Sequence, residues 1–307
     1  MDGVVFKMNP NLSTMIWSTY LGGSADDGCY ALTLDHSLNI YTTGGTSSSN
    51  FPTSIGALST AYNGGITDGY VTKIKNDGST ILKSTFIGTS AYDQSFLIQL
   101  DNNYNVYIVG QTEGTMPVSA GVYSNSNSKQ FIWKLNSNLN TRMLSTIFGS
   151  GSGQVDISPA AFLVDVCGNI FVSGWGGNVL TSVPTTNMPI SSNAFQSSTD
   201  GFNFYLFVLS PNAASFMYGT YFGGPLSREH VDGGTSRFDK KGIVYQAVCA
   251  NCGGYNAGTQ HNDFPVTPGS WPNTGSNVNH NTQDYNCNQG VFNFAIFSRT
   301  GIIFFDK

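Results

Sequence analysis

One pattern of strands and turns recurs four times along the 307-residue chain. An apolar strand, an aspartate, a short polar turn and an aromatic-bearing strand occupy residues 34–46, 100–112, 164–176 and 238–250. An aromatic residue follows each of the four aspartates, Asp35, Asp101, Asp165 and Asp239, at the sixth position. Because the register holds from copy to copy, a repeat architecture is the first constraint on the fold.

A second motif, two strands joined by a polar turn, occurs five times and begins with VVFKM, YVTKI, FIWKL, FYLFVL and FNFAIF. A loop with a Phe-Pro or Met-Pro pair, such as Phe51-Pro52, lies between the two motifs of each repeat. Each full repeat therefore supplies four strands joined by hairpin turns. Four strands make one β-propeller blade, whose apolar faces are buried by stacking against neighbouring blades.

The sequence thus predicts an all-β fold, a β-propeller of four-stranded antiparallel blades, as one domain over residues 1–307. We expect a leading half blade at 1–20 and four full repeats at about 21–86, 87–147, 148–221 and 222–307. Because a propeller normally closes with whole blades, this arrangement predicts a fragment of a larger propeller with more blades upstream.

Composition excludes several functions. Only 10% of residues are charged and the net charge is −5, so the chain lacks the basic stripe that nucleic-acid binding requires. It contains no run of about 18 apolar residues, and we expect no direct membrane insertion. It also contains no G-x-S-x-G or H-E-x-x-H signature, so we expect no enzyme activity.

The ordered motifs YLGGS-ADD, LDHSLNIYTTGGT, NFPTSIGA and DGYVTKIKNDGSTILKSTFIG resemble the SBBP (β-propeller repeat) family of bacterial surface proteins. The last repeat, with REHVDGGTSRFDKKGIVYQAVCANCGGYN, NDFPVTPGSW and NCNQGVFNF, is similar to the final blade of large gliding-motility-associated secreted proteins. This resemblance implies export by the type IX secretion system and a secreted or cell-surface location. It also implies Ig-like modules and a C-terminal sorting domain beyond the propeller.

The last repeat concentrates cysteine and histidine. Cys249 and Cys252 have the C-x-x-C spacing of a zinc ligand pair, which Cys287 and a histidine such as His230 would complete. A second close cysteine pair is missing, so we favour a disulfide from Cys287 to Cys252 or Cys249. In an exported protein such a bond would fasten the long loop to its blade.

Acidic residues recur just before the repeated strands. Asp27 and Asp93 precede the motif aspartates by the same distance, whereas Asp156 and Asp232 lie one residue out of that register. Carboxylates repeated on one rim would suit Ca²⁺, and the structural alternative is that each one caps backbone N–H groups of its loop. We expect no cofactor, with Ca²⁺ and zinc as the two ions that these side chains fit.

Trp271 lies in a loop, where it is a candidate for stacking on a sugar ring or for anchoring the loop. Together these features predict a non-catalytic module of an exported cell-surface protein, with a structural or adhesive role. Its partner would be a surface glycan or a protein. The alternative is a carbohydrate-binding or carbohydrate-active propeller with a site on one face.

Overall fold

The computed structural model describes residues 1–176, 184–225, 228–231, 236–250, 264–267 and 288–295. In this part of the chain the regular structure is β-sheet apart from one short 3₁₀ helix, Pro211–Ala213. No helix within it has the length and hydropathy needed to cross a bilayer. Internal contacts divide the chain into an N-terminal unit, Met1–Val155, and a C-terminal unit, Asp156–Lys307.

The N-terminal unit contains a two-stranded sheet and two four-stranded sheets, all antiparallel and in chain order. The hairpin consists of β1 (Gly3–Met8) and β2 (Met15–Leu21). The first full sheet consists of β3 (Asp27–Leu34), β4 (Ile40–Thr46), β5 (Asp68–Ile74) and β6 (Ile81–Ile87). The second consists of β7 (Asp93–Leu100), β8 (Val106–Thr112), β9 (Gln130–Leu135) and β10 (Arg142–Phe148).

The C-terminal unit repeats this arrangement. One antiparallel sheet consists of β11 (Ile157–Val164), β12 (Ile170–Gly176), β13 (Phe204–Leu209) and β14 (Phe216–Phe222). The next has three described strands, β15 (Ser236–Phe238), β16 (Ile243–Ala250) and β17 (Asn288–Ala295). The prediction of an all-β propeller built from four-stranded antiparallel blades is confirmed.

The repeated aspartates form the tight turn between the first two strands of each blade. Asp35 Oδ1 accepts hydrogen bonds from the backbone N–H groups of Ser37 and Asn39, both at 2.9 Å. Asp101, Asp165 and Asp239 accept the same two bonds in their own turns. The third residue after each aspartate has a positive φ; these residues are Leu38, Tyr104, Gly168 and Gly242. The carboxylate stabilises this backbone conformation locally, which explains its position in the motif.

The aromatic residue of the motif contacts a lysine in two of the blades. Lys73 Nζ lies 2.9 Å from Asp35 Oδ2 and 4.8 Å from the centre of the Tyr41 ring. In the next blade Lys134 contacts Asp101 at 3.2 Å and the Tyr107 ring at 4.8 Å. We call this group of lysine, aspartate and tyrosine the lysine clamp.

Stacking of neighbouring sheets buries the apolar faces within each unit. In the N-terminal unit one cluster joins Tyr41 and Val71 of the first full sheet to Ile98 and Phe131 of the second. In the C-terminal unit Phe204 and Phe222 pack in one cluster with residues of β16 and β17. Burial on this scale is the main source of stability in a propeller, because a single sheet cannot cover its own faces.

Candidate functional site

A glycine directly follows the fourth strand of a blade, and two side chains converge on it. One belongs to the start of the third strand, and the other lies near the start of the next repeat. Gly88 follows β6 and is approached by Asp68 and Asp93. Gly223 follows β14 and is approached by Asn203 and Glu229. We call the first group the carboxylate junction and the second the amide junction.

The carboxylate junction brings two buried acidic side chains together. Asp68 and Asp93 both have 0% of their surface exposed. A Cβ atom on Gly88 would lie 2.9 Å from Asp68 Oδ1 and 2.9 Å from Asp93 Oδ2, so the carboxylates face each other across this glycine. Among the described residues, no lysine, arginine or histidine forms an ion pair with either one.

One oxygen of each carboxylate is bonded and the other is not. Asp68 Oδ2 accepts hydrogen bonds from the backbone N–H of Asn63 at 2.5 Å and from its side-chain amide at 3.1 Å. Asp93 Oδ2 accepts from the backbone N–H and hydroxyl of Thr89, at 2.6 and 2.9 Å. The Oδ1 atoms of Asp68 and Asp93 are buried and have no hydrogen-bond partner among the described residues. Such atoms are uncommon in folded proteins, and a proton, a water molecule or an ion can satisfy them.

The electrostatics follow from this geometry. Burial raises the pKa of Asp68 to about 7, against the hydrogen bonds from Asn63, and the Asp93 carboxylate adds to the rise. Burial also raises the pKa of Asp93, against hydrogen bonds from Thr112 and Thr89. Two like charges in a site of low polarity disfavour the doubly ionised state. The pair therefore needs a proton or a cation.

The amide junction shows a complementary pair in the same place. Asn203 Nδ2 donates a hydrogen bond to Glu229 Oε2 at 3.1 Å and another to the carbonyl of Gly224 at 2.7 Å. The backbone N–H of Gly224 donates to Glu229 Oε1 at 3.0 Å. Asn203 and Glu229 are both buried. Here an amide donor meets a carboxylate acceptor, and no additional proton or ion is needed.

The predicted residue Asp27 belongs to a third junction of the same kind. Its Oδ2 accepts hydrogen bonds from the N–H of Gly23 at 2.7 Å and the hydroxyl of Ser48 at 2.8 Å. A Cβ on Gly22 would meet this carboxylate and that of Asp2, which is exposed. Asp27 and Asp93 thus both cap a backbone N–H group of their loops, and Ca²⁺ binding by them stays a prediction.

A cleft of about 490 Å³ borders the carboxylate junction. Gly88 and Asn63 lie in its wall, so the cleft reaches the backbone on which the two carboxylates converge. The remaining lining residues come from the loop before β5, from β6 and from the β9–β10 hairpin. They are Leu58, Ser59, Phe86, Trp133, Asn140, Thr141 and Arg142.

Arg142 and Trp133 give this cleft its recognition chemistry. The guanidinium carbon of Arg142 lies 4.9 Å from the centre of the Trp133 ring. No described carboxylate pairs with Arg142, and partial burial lowers its pKa from the usual value, although a guanidinium stays charged at neutral pH. Trp133 is only 4% exposed, and its buried Nε1–H group has no hydrogen-bond acceptor in the part of the chain that the structure describes. Arg142 is therefore the charged donor that a ligand in the cleft can reach, because its side chain is exposed whereas the Trp133 N–H is buried.

Residues 16–52 match the family described as beta-propeller repeat, SBBP. The SBBP match runs from β2 to the Phe51-Pro52 pair of the first full repeat. It therefore includes the Asp35 turn and the first two strands of a blade, in agreement with the sheets described above. No curated protein sequence matches the chain.

The predicted cysteine cluster is only partly described. Backbone hydrogen bonds at 3.1 and 2.9 Å pair His230 with Cys249, and the His230 ring lies 5.9 Å from that of Trp175. Cys249 is disulfide-bonded, and its partner lies outside the described residues. Cys252, Cys287, Asp232 and Trp271 also lie outside them, and their roles stay predictions. Within the described ranges no group of three or more His, Cys, Asp or Glu side chains is arranged to hold a metal.

Sequence reasoning missed Asp68, Asn203 and the cleft. A weak signal for Asp68 was present, because the dipeptide Asp-Gly precedes both VVFKM and YVTKI. Lys73 of β5 aligns with Lys134 in the next repeat and with Val208 in the one after it. In this alignment the position of Asp68 is occupied by Lys129 and then by Asn203. The position is therefore not periodic in residue type, and a search for repeats passes over it.

Proposed function

We propose that this propeller is a non-catalytic ligand-binding module of an exported bacterial cell-surface protein, with an adhesive role. The observation that carries the proposal is the cleft lined by Arg142, whose exposed guanidinium has no carboxylate partner among the described residues. Ligand sites commonly combine an apolar wall with a few polar groups that converge on the ligand. Leu58 and Phe86 supply the apolar part here, and amide and hydroxyl side chains supply the polar part.

The lining favours an acidic polysaccharide as the ligand. An arginine without a carboxylate partner binds carboxylate or sulfate groups through charge-assisted hydrogen bonds. Asn63, Asn140, Thr141 and Ser59 offer the amide and hydroxyl groups that pair with sugar hydroxyls. Because the guanidinium covers one face of Trp133, we expect hydrogen bonding to outweigh stacking in recognition.

Binding is favoured over cleavage of such a polysaccharide. The obvious carboxylate pair near the cleft is Asp68 and Asp93, but both side chains are fully buried behind Gly88. A general acid must come within hydrogen-bond reach of the reacting oxygen. Hydrolysis of any tested polysaccharide that is abolished in Asp68→Asn or Asp93→Asn would contradict the non-catalytic proposal.

The binding test compares wild type with Arg142→Gln on an array of neutral and acidic glycans. We expect acidic glycans to bind and Arg142→Gln to weaken their binding about 10- to 100-fold, since one charge-assisted hydrogen bond contributes roughly 1.5–3 kcal/mol. Lys7→Gln is the matched control, because Lys7 is an exposed cation of the same unit that does not line the cleft. Equal loss in both variants, or no binding by wild type, would overturn the proposed ligand class.

Export by the type IX system and a role in gliding motility are supported by the resemblance of the last repeat to gliding-motility-associated proteins. The test is protease treatment of intact native cells followed by detection of this chain. A surface protein is cleaved without lysis, whereas a chain protected until lysis would contradict the proposed location.

A further inference from the structure

We propose that the carboxylate junction binds a divalent cation of the calcium type, held between Asp68 and Asp93. This site goes beyond the ligand-binding function proposed above. It also differs from the rim of repeated aspartates that the sequence suggested, because Asp68 precedes a third strand and has no place in that pattern.

The first argument is the lack of compensation for buried charge. Two carboxylates with no exposed surface converge on Gly88, and neither has a cationic partner among the described residues. Each also leaves one buried oxygen, Oδ1, without a hydrogen-bond donor. A buried ion without a partner is strongly destabilising, and a cation beside Gly88 would contact the free Oδ1 of Asp68 and the Oδ2 of Asp93 that faces it.

The second argument comes from the amide junction, which shows what fills the equivalent space. There an N–H donor of Asn203 lies between two oxygens and satisfies the Glu229 carboxylate at 3.1 Å. Replacing that amide by the carboxylate of Asp68 removes the positive end of the interaction and leaves only acceptors. The carboxylate junction is therefore arranged to receive a positively charged group.

The third argument concerns the remaining ligands. Ca²⁺ takes about six to eight oxygen ligands and accepts carboxylate, carbonyl, hydroxyl and water oxygens in flexible geometry. The hydroxyl of Thr89 lies 2.9 Å from Asp93 Oδ2, and that of Thr112 also interacts with this carboxylate. Gly88 and Asn63 line the cleft, so the junction lies directly behind the cleft wall. Because no cysteine or histidine takes part, the donors suit a hard cation and not zinc.

A site with two protein carboxylates binds Ca²⁺ weakly. Extracellular calcium modules work at dissociation constants of about 10⁻⁴ to 10⁻³ M. We expect affinity in that range, and little binding of Mg²⁺, which requires a smaller and nearly ideal octahedral site.

The test is isothermal titration of the whole chain with CaCl₂ at pH 8, together with its thermal unfolding with and without Ca²⁺. We expect binding, and at tenfold excess over Kd a rise of about 2 °C in Tm. Asp68→Asn should abolish both effects and still fold, because asparagine occupies the equivalent position in the amide junction. Asp77→Asn is the control, since Asp77 is an exposed carboxylate paired with Lys75, and it should respond as wild type does.

Two results would overturn the cation site. One is the absence of a calcium response in wild type, which would leave a shared proton as the occupant of the junction. The other is an equal response in Asp68→Asn, which would place the bound ion elsewhere. Arg142→Gln separates this proposal from the binding function, because that variant should lose glycan affinity and keep its calcium response.

Discussion

The carboxylate junction and the amide junction have the same geometry and opposite chemistry. In each, two buried side chains converge on the glycine that follows the fourth strand of a blade. Asn203 donates a hydrogen bond to Glu229, whereas Asp68 and Asp93 present only acceptors to each other unless one is protonated. The comparison shows that the blade fixes where the two groups meet, and one side chain decides whether they attract or repel.

The largest loss of stability is expected when a substitution gives the amide junction the two carboxylates of the carboxylate junction. Asn203→Asp would put two buried carboxylates together and remove the hydrogen bond to Glu229. We expect a loss of about 3–5 kcal/mol in the free energy of unfolding at pH 8, as for other buried ion pairs that lose a partner. Urea denaturation measures it, and the loss should be smaller at pH 5, where one carboxylate can bind a proton.

Asn187→Asp is the control for this substitution, because Asn187 is exposed in the same unit. It should change the free energy of unfolding by less than about 0.5 kcal/mol. A cost for Asn203→Asp as small as that of the control would mean that the two carboxylates move apart. The choice between an amide and a carboxylate at the junction would then have little effect on the free energy of unfolding.

The parts of the fold that could be predicted are those encoded locally. The Asp35 turn depends on bonds from one carboxylate to residues two and four positions later, so it repeats with the sequence. The junctions depend on side chains that are distant in sequence and meet only when blades stack. Asp93 was singled out for its spacing, but its neighbour Asp68 was not. The cleft residues Trp133 and Arg142 come from one hairpin and its strands, and nothing periodic marks them.

The second prediction tests how tightly each junction closes on its glycine. A Cβ on Gly223 would lie 2.4 Å from both Asn203 Nδ2 and Glu229 Oε2, whereas one on Gly88 would lie 2.9 Å from its two carboxylate oxygens. Overpacking typically costs about 1–3 kcal/mol. We expect Gly223→Ala near the upper end of that range, because its φ of 159° also disfavours a side chain, and Gly88→Ala near the lower end, measured by chemical denaturation. The reverse order would show that the carboxylate junction is the more rigid of the two.

The third prediction concerns pH. The pKa of Asp68, about 7 in the folded chain, lies above its ordinary value of 3.8. Folding is therefore penalised when Asp68 is ionised, and stability rises as the pH falls from 7 towards 4. Asp93, Tyr62 and Glu113 are the titratable groups near this pair. Without divalent cations, Asp68→Asn should be more stable than wild type by at least about 1–2 kcal/mol at pH 8, and no more stable at pH 4.

The measurement is the difference in unfolding free energy between wild type and Asp68→Asn at several pH values. Taking the difference removes the contribution of other carboxylates, such as Asp35 and Asp101, which lose their stabilising bonds in acid. If the difference in unfolding free energy does not change with pH, Asp68 is ionised throughout the range. The carboxylate junction would then be stable without a proton or a cation, which contradicts the argument made for it above.

The smallest change in the free energy of unfolding is expected at a second position where the N-terminal and C-terminal units differ. The lysine clamp at Lys134 joins Asp101 and the Tyr107 ring, whereas the equivalent residue in the C-terminal unit, Val208, is paired with Phe171. We expect Lys134→Val to cost about 0.5–1 kcal/mol at low salt, from the lost ion pair and cation–π contact. Lys75→Val is the control, because the exposed pair of Lys75 with Asp77 should contribute almost nothing. A neutral or stabilising effect of Lys134→Val would show that apolar packing of the kind seen at Val208 stabilises the blade as much as the lysine clamp does. The N-terminal and C-terminal units would then differ in stability only through their junctions.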